Sequence, residues 1–470
     1  MDDSYFLIII IAIFFVILTI YKLLVGNDTI KEVLPYKLAD AIPTNYKSSN
    51  YDDIVEVDLI ASEKDVRISD DIETTVYTYN NMFPGPVIEG RVGQKLIINF
   101  TNQLLVPTSL IFYGYPVAAG TNSLGQKAVL PGETIKYAFK LDIPGVYIYR
   151  SNSSAIDQVS NGLYGALIVH DHIQNNRLGL PLEYHVLVLS DLWVDTVINK
   201  QHIYLVNGVY EGVIEIERNV AQRLYILNTS IDTVFRISLS NHDMLKIGGD
   251  QGLIESPLVI TGDSSISISP GERLDIVFTP KDKQISIDHT ISSNASLETV
   301  KLGTFKCLNT GRRENLHIPL YLKNIPKIKL KGDETIIPVT YIQKDRELYA
   351  AYNDIPYHYL NDSQIPVLKI NKVYIFEISN RTHNVQNFHI NGFYFQHLYT
   401  TSLYKRGKIY KPKNVENKDT LIIPPDSLAV VAVKLRNYGR KIKTNNSKWH
   451  FGTNFLYFAD KGMKGYFKIL

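Results

Sequence analysis

A single cysteine, Cys307, stands in a chain of 470 residues. That excludes an intrachain disulfide framework and any zinc or iron–sulfur site built on several thiolates. An excess of charge is missing too: 49 Lys and Arg against 47 Asp and Glu leave a formal +2. The chain as a whole has no electrostatic pull on nucleic acid, and no specific nucleic-acid binding is expected. No phosphate-binding loop, nucleophile elbow or zinc-protease helix motif occurs. At this length one hydrophobic core cannot serve the whole chain, and domains of about 100–150 residues predict two to four of them.

One long apolar run is present. Residues 5–25 read YFLIIIIAIFFVILTIYKLLV, about the 20 residues needed to cross hydrocarbon, with Lys22 placed to snorkel. Asp2 and Asp3 occupy the place of a basic n-region, and no small-residue cleavage site follows, which favours an uncleaved anchor over a signal peptide. The expected organisation is a short tail (1–4), a transmembrane anchor (5–25) and a tether (26–51) of Asn, Ser, Pro and Lys without sustained period. Lys22, Lys31 and Lys37 after the span point the body toward the cytosol. Sequons at Asn27, Asn99, Asn152, Asn228, Asn294, Asn361, Asn380 and Asn445 point the other way. The expectation taken is a single-pass membrane protein with its body extracytosolic or on a viral membrane.

Beyond the tether the chain is short alternating or β-branched runs separated by Gly, Pro, Asn and Asp. VIEGRVGQKLIINFTN, VIEIERNVAQRLYILNTS and VLKINKVYIFEISNRT each read as strand, turn, and a second strand ending in Asn. Further strand phrases follow each unit: GETIKYAFKL and GLYGALIVHD, then SISISPGERLDIVFTP, then DTLIIPPDSLAVVAVKL. Recurrence at domain-sized spacing predicts tandem β-sandwiches over 52–173, 183–325 and 337–470.

These phrases resemble the multicopper oxidases, the laccase, bilirubin-oxidase and spore-coat-oxidase family. NNMFPGPVIEGRVGQKLIINFTNQL (80–104) is similar to that family's opening, IGGDQGLIESP (247–257) and SPGERLDIVF (269–278) to its second domain, and KDTLIIPP with KGMKGYFKI to its third. The resemblance covers residues 52–470. It implies an all-β fold of three tandem cupredoxin-like Greek-key domains, with Arg273 and Asp275 after the tight turn at Gly271 supporting domain packing.

The resemblance also implies a set of copper positions, and there this chain departs from the family. The first His-x-His aligns with SLIFYG, giving Ile111 and Tyr113; the second aligns with YIYRSN, giving Arg150 and Asn152. The third-domain phrase aligns with QNFHIN, leaving Gln386, His389 and Asn391, and the final ligand stretch with Gly452, Thr453, Asn454, Phe458 and the axial Met463. One imidazole and a thioether do not make either kind of copper centre. Copper is therefore expected to be absent, with no catalytic, cofactor-binding or metal residue.

Three functions follow as expectations. The first is a non-catalytic protein acting by association with protein partners, its membrane attachment supplied by the N-terminal helix, in an envelope or virion membrane. The second is a copper oxidoreductase with unconventional ligands around His389. The third is a small-anion module using the vacated cavity at Tyr113, Arg150, Asn152 and His389. Lys405, Arg406, Lys408, Lys411 and Lys413, with Arg440, Lys441 and Lys443 from a second loop, are a candidate basic patch against the plainer alternative of a solvated surface. His383, His389 and His397 lack the accompanying carboxylates or thiols of a metal site.

Overall fold

The computed structural model describes residues 53–470 except 116–127, 182, 196–199, 293–295, 314–316, 345–346, 405–408 and 437–447. Helices are short, and three two-sheet sandwiches follow one another along the chain. In the first, strands ordered Glu73–Tyr79, Ile54–Arg67, Lys95–Asn102 and Thr134–Lys140 face Ile88–Arg91, Tyr164–His170, Gly145–Arg150 and Ile111–Tyr113. The second has sheets of six and five strands, the third of seven and five. Each closes over its own apolar core, centred on Phe100 and Tyr149, on Phe235 and Phe305, and on Phe376 and Phe388.

The strands that end in Asn recur as structure. Lys95–Asn102, Gln222–Asn228 and Val373–Arg381 each run parallel to the strand that opens their sandwich, with Ala61 opposite Asn102, Leu189 opposite Asn228 and Tyr341 opposite Asn380. Each Asn is fully buried and its amide ties down the loop that follows. Asn102 Nδ2 donates to Val106 O and Val129 O, Asn228 Nδ2 to Thr233 O and Ile268 O, and Asn380 Nδ2 to Asn384 O and Ile423 O. Buried backbone carbonyls need such donors. The sequons at Asn228 and Asn380 are thus structural amides with no solvent access in the folded chain.

Gly271, at φ 85°, makes the turn that starts strand Arg273–Phe278. A Cβ there would lie 2.5 Å from Asn454 Nδ2 and 2.8 Å from Tyr113 Cε1, so only glycine lets the three sandwiches approach this closely. Arg273 is 0% exposed. Its Nη1 and Nη2 donate to Asp419 Oδ1 and Oδ2 at 2.8 and 2.6 Å, its Nε to Val146 O at 2.9 Å, and its Nη2 to Asp250 O at 2.7 Å. One guanidinium thereby holds groups from all three sandwiches. Burial pushes the Asp419 carboxyl up, but Arg273 and His389 outweigh it and hold it well below the usual carboxylate range. Lys418 Nζ extends the network to Asp250 and Glu272 at 3.3 and 3.2 Å, and Lys246 reaches Glu416 at 2.8 Å.

The membrane expectation is corrected here. Among the described residues no helix is long and apolar enough to cross a membrane, so a single-pass protein is not supported. The anchor segment 5–25 and the tether lie outside the described residues.

Arg273→Ala is expected to lower unfolding free energy by about 3–5 kcal/mol in a urea titration, because it leaves Asp419 buried without its partner. His289, 3% exposed between Tyr204 and Phe235, accepts the Arg236 N–H, and burial pushes it down to about 4. The unfolded chain takes that proton near pH 6.5 and the folded chain does not, so this contribution is present above about 6.5 and is lost as pH falls toward 4, by about 1.4 kcal/mol per pH unit. His289→Gln is expected to flatten the measured fall of stability across that window by the same slope.

Candidate functional site

Two strand ends meet where the resemblance puts its multinuclear copper. Ile111 pairs with Arg150 at the edge of the first sandwich, and His389 pairs with Gly452 in the third. Together they bring Tyr113, Arg150, Asn152, His389, Asn391 and Asn454 around one cavity of about 170 Å³. The four residues expected to frame an anion cavity therefore line the same space.

Three of them form a column. The Tyr113 ring stacks on His389 with centroids 3.9 Å apart and planes 23° from parallel, and Arg150 Cζ sits 4.9 Å from the centroid of the Tyr113 ring. Both nitrogens of His389 are engaged: Nδ1 lies 3.1 Å from Thr420 Oγ1 and 3.4 Å from Asp419 Oδ1, and Nε2 lies 2.9 Å from Asn391 Oδ1. Burial pushes the Tyr113 hydroxyl well up, which keeps it neutral, and burial pulls the half-buried Arg150 down. Among the described residues Arg150 has no carboxylate partner. His450, also on the wall, is pushed down to about 4 by burial, with Lys464 and Lys448 adding to it.

The positions aligned with the mononuclear copper are closed by packing and amide chemistry. Thr453 Oγ1 donates to Gln386 Oε1 at 2.9 Å, and Asn387 Oδ1 accepts the Asn454 N–H at 2.7 Å while its Nδ2 donates to Pro270 O at 2.9 Å. Met463 is 0% exposed in the third core, with Phe458 packed against it. A fit to the family's coppers fails on donor chemistry. One imidazole with both nitrogens in use, a guanidinium, amides, a hydroxyl and one thioether replace the thiolate and paired imidazoles that such centres need.

Other candidates fall elsewhere. Lys405, Arg406, Lys408, Arg440, Lys441 and Lys443 lie outside the described residues, so no single basic patch is established. Lys411 and Lys413 line a larger cavity of about 620 Å³ with Lys327, His397 and Tyr410. His389 and His397 do not converge: His397 Nε2 pairs with Thr400 Oγ1 at 2.8 Å and faces that larger cavity. Among the described residues Asp191, His202 and Asp232 bring their ligand-type atoms within 4.8 Å of one another, a cluster that sequence spacing did not reveal. Its signal was the alternation of Asp191 and Trp193 against His202 and Tyr204, legible only once the hairpin register is known.

Family models described as multicopper oxidase match residues 61–174, 190–309 and 333–470. An iron transport multicopper oxidase, FET3, of Gibberella zeae is 23% identical over 80% of this chain and 71% of its own length. L-ascorbate oxidases of Cucurbita pepo var. melopepo and Cucumis sativus are 36% and 27% identical, and this chain spans 25% and 43% of their lengths. In structure, a multicopper oxidase from Campylobacter jejuni superposes with TM-score 0.77 over 93% of this chain and 96% of that one, at 20% identity. A laccase from Pediococcus acidilactici gives 0.78 over 93% and 94%, also at 20%. The three sandwiches are cupredoxin-like domains.

These matches correct the expectation that copper is absent. The relatives are copper-binding multicopper oxidases, and this chain also places Asp191, His202 and Asp232 together. The misfit is confined to the aligned ligand positions. With all three domains matched over most of its length, the chain belongs to the multicopper oxidase family.

Proposed function

We propose that this family member acts by binding a small anion in the cavity between its first and third domains, and not by four-copper reduction of dioxygen. The observation that carries this is Arg150. A half-buried guanidinium without a carboxylate partner among the described residues lines a cavity of about 170 Å³. Withdrawing a charge from water without a partner is costly, and a bound oxyanion would supply that partner in bidentate geometry. The Tyr113 face holds the guanidinium plane from one side, and the amides of Asn152 and Asn391 offer donors on the same wall. The replacement of the aligned ligands supports the non-catalytic part.

In thermal melts of the full chain at constant ionic strength, one of phosphate, sulfate, carbonate or oxalate is expected to raise Tm in proportion to the logarithm of its concentration, by about 2.7 kcal/mol of stabilisation at a hundredfold excess over Kd. Arg150→Met is expected to abolish that shift and to raise Tm in its absence, because it removes the unpaired charge. No shift across the panel, or a shift that survives in Arg150→Met, defeats the anion site. Separately, copper-supplied protein in an oxygen electrode with ascorbate, ferrous iron and a phenol is expected to consume no oxygen above buffer. Sustained turnover would refute the non-catalytic half.

A further inference from the structure

The second domain carries a group that the cavity between the other two does not use. Strands Tyr184–Asp195 and Lys200–Val206 form an antiparallel hairpin with Trp193 opposite His202 and Asp191 opposite Tyr204. Alternation puts these four side chains on one face of the hairpin. Asp232 arrives from the loop after strand Gln222–Asn228, and the ligand atoms of Asp191, His202 and Asp232 all lie within 4.8 Å of one another.

The setting is built. Asp191 is 7% exposed, and its Oδ2 lies 3.1 Å from His202 Nε2 and accepts from Thr233 Oγ1 at 2.5 Å. The Trp193 ring stacks on the imidazole with centroids 4.6 Å apart and planes 15° from parallel, which fixes the ring's plane. Asp232 is exposed and leaves one side open to solvent. Two carboxylates thus face a single imidazole. Tyr204 on the same face packs its ring edge-on to His202, with centroids 5.0 Å apart.

We propose that Asp191, His202 and Asp232 form a binding site for one divalent first-row transition-metal ion on the second domain, distinct from the positions aligned with the family's coppers. One imidazole with two carboxylates suits zinc, manganese or copper(II), offers no thiolate or thioether to select copper(I), and supplies too few oxygens for calcium. The ion would replace the His202–Asp191 hydrogen bond with two coordination bonds. Thr233 and Trp193 would act as positioning residues that keep the carboxylate and ring in place.

The test is calorimetric titration of chelator-stripped full chain with zinc chloride, followed by cobalt(II) substitution and its visible spectrum. The expected result is one saturable equivalent and a cobalt band characteristic of nitrogen and oxygen ligands. His202→Gln and Asp232→Asn are each expected to weaken binding at least tenfold, while Arg150→Met leaves it unchanged. Asp232 is the exposed member of the three, so its substitution is the milder one and keeps the test decisive if His202→Gln is unstable. Absence of saturable binding overturns the site, and so does an equivalent that both variants retain. Loss in only one of the two variants overturns the three-ligand assignment.

Discussion

A guanidinium with no access to water has to be neutralised by protein, and that requirement at Arg273 organises this molecule. Its partners are Asp419 in the third domain, Val146 in the first and Asp250 in its own. A buried ion pair is not a cheap source of stability, because desolvation offsets most of the Coulomb attraction. What it provides here is geometry: each domain must stand within hydrogen-bond reach of the same group. Gln251 reinforces the arrangement by donating to both Gly114 O and Asp419 Oδ2. Docking of the three sandwiches is then a condition for satisfying any one of them.

The same network reaches the cavity. Asp419 Oδ1, held by Arg273, lies 3.4 Å from His389 Nδ1 and accepts from Thr420, which also contacts that ring. His389 is therefore fixed at its ring nitrogens, and Tyr113 stacks on its ring face. The side chains around the cavity sit at strand ends, over a layer whose charges are paired. Hydrogen bonds among Gln386, Asn387, Thr453 and Asn454 tie the adjoining strand ends together.

Much of the fold was legible because it rests on local chemistry. Alternating strands, Asn at strand ends and Gly271 before Arg273 each have a reason that operates within a few residues, and they sit where the sequence placed them. The cavity residues were legible through resemblance, which supplied the long-range pairing that sequence alone lacks. Nothing local in the sequence marks Lys418 and Glu416 as part of the network around Asp250; only the packing of the second and third domains makes them so. Asp191 and Asp232 are far apart in the chain, joined by a parallel strand pair and a loop that no local pattern predicts. The sequons misled at Asn228 and Asn380 because the motif is blind to burial. The anchor and most of the basic patch fall outside the described residues.

The three-way hold on Arg273 bears on how such a protein can be rebuilt. Modular chains are often recombined by exchanging whole domains with a relative at their linkers. Here an incoming third domain without the equivalent of Asp419 would leave a cation stranded at the junction, and an incoming first domain with a different backbone path near Val146 would lose a carbonyl that the guanidinium requires. Chimaeras should succeed when the segments around Val146, Asp250–Arg273 and Asp419 are inherited as a set, wherever the linkers are cut.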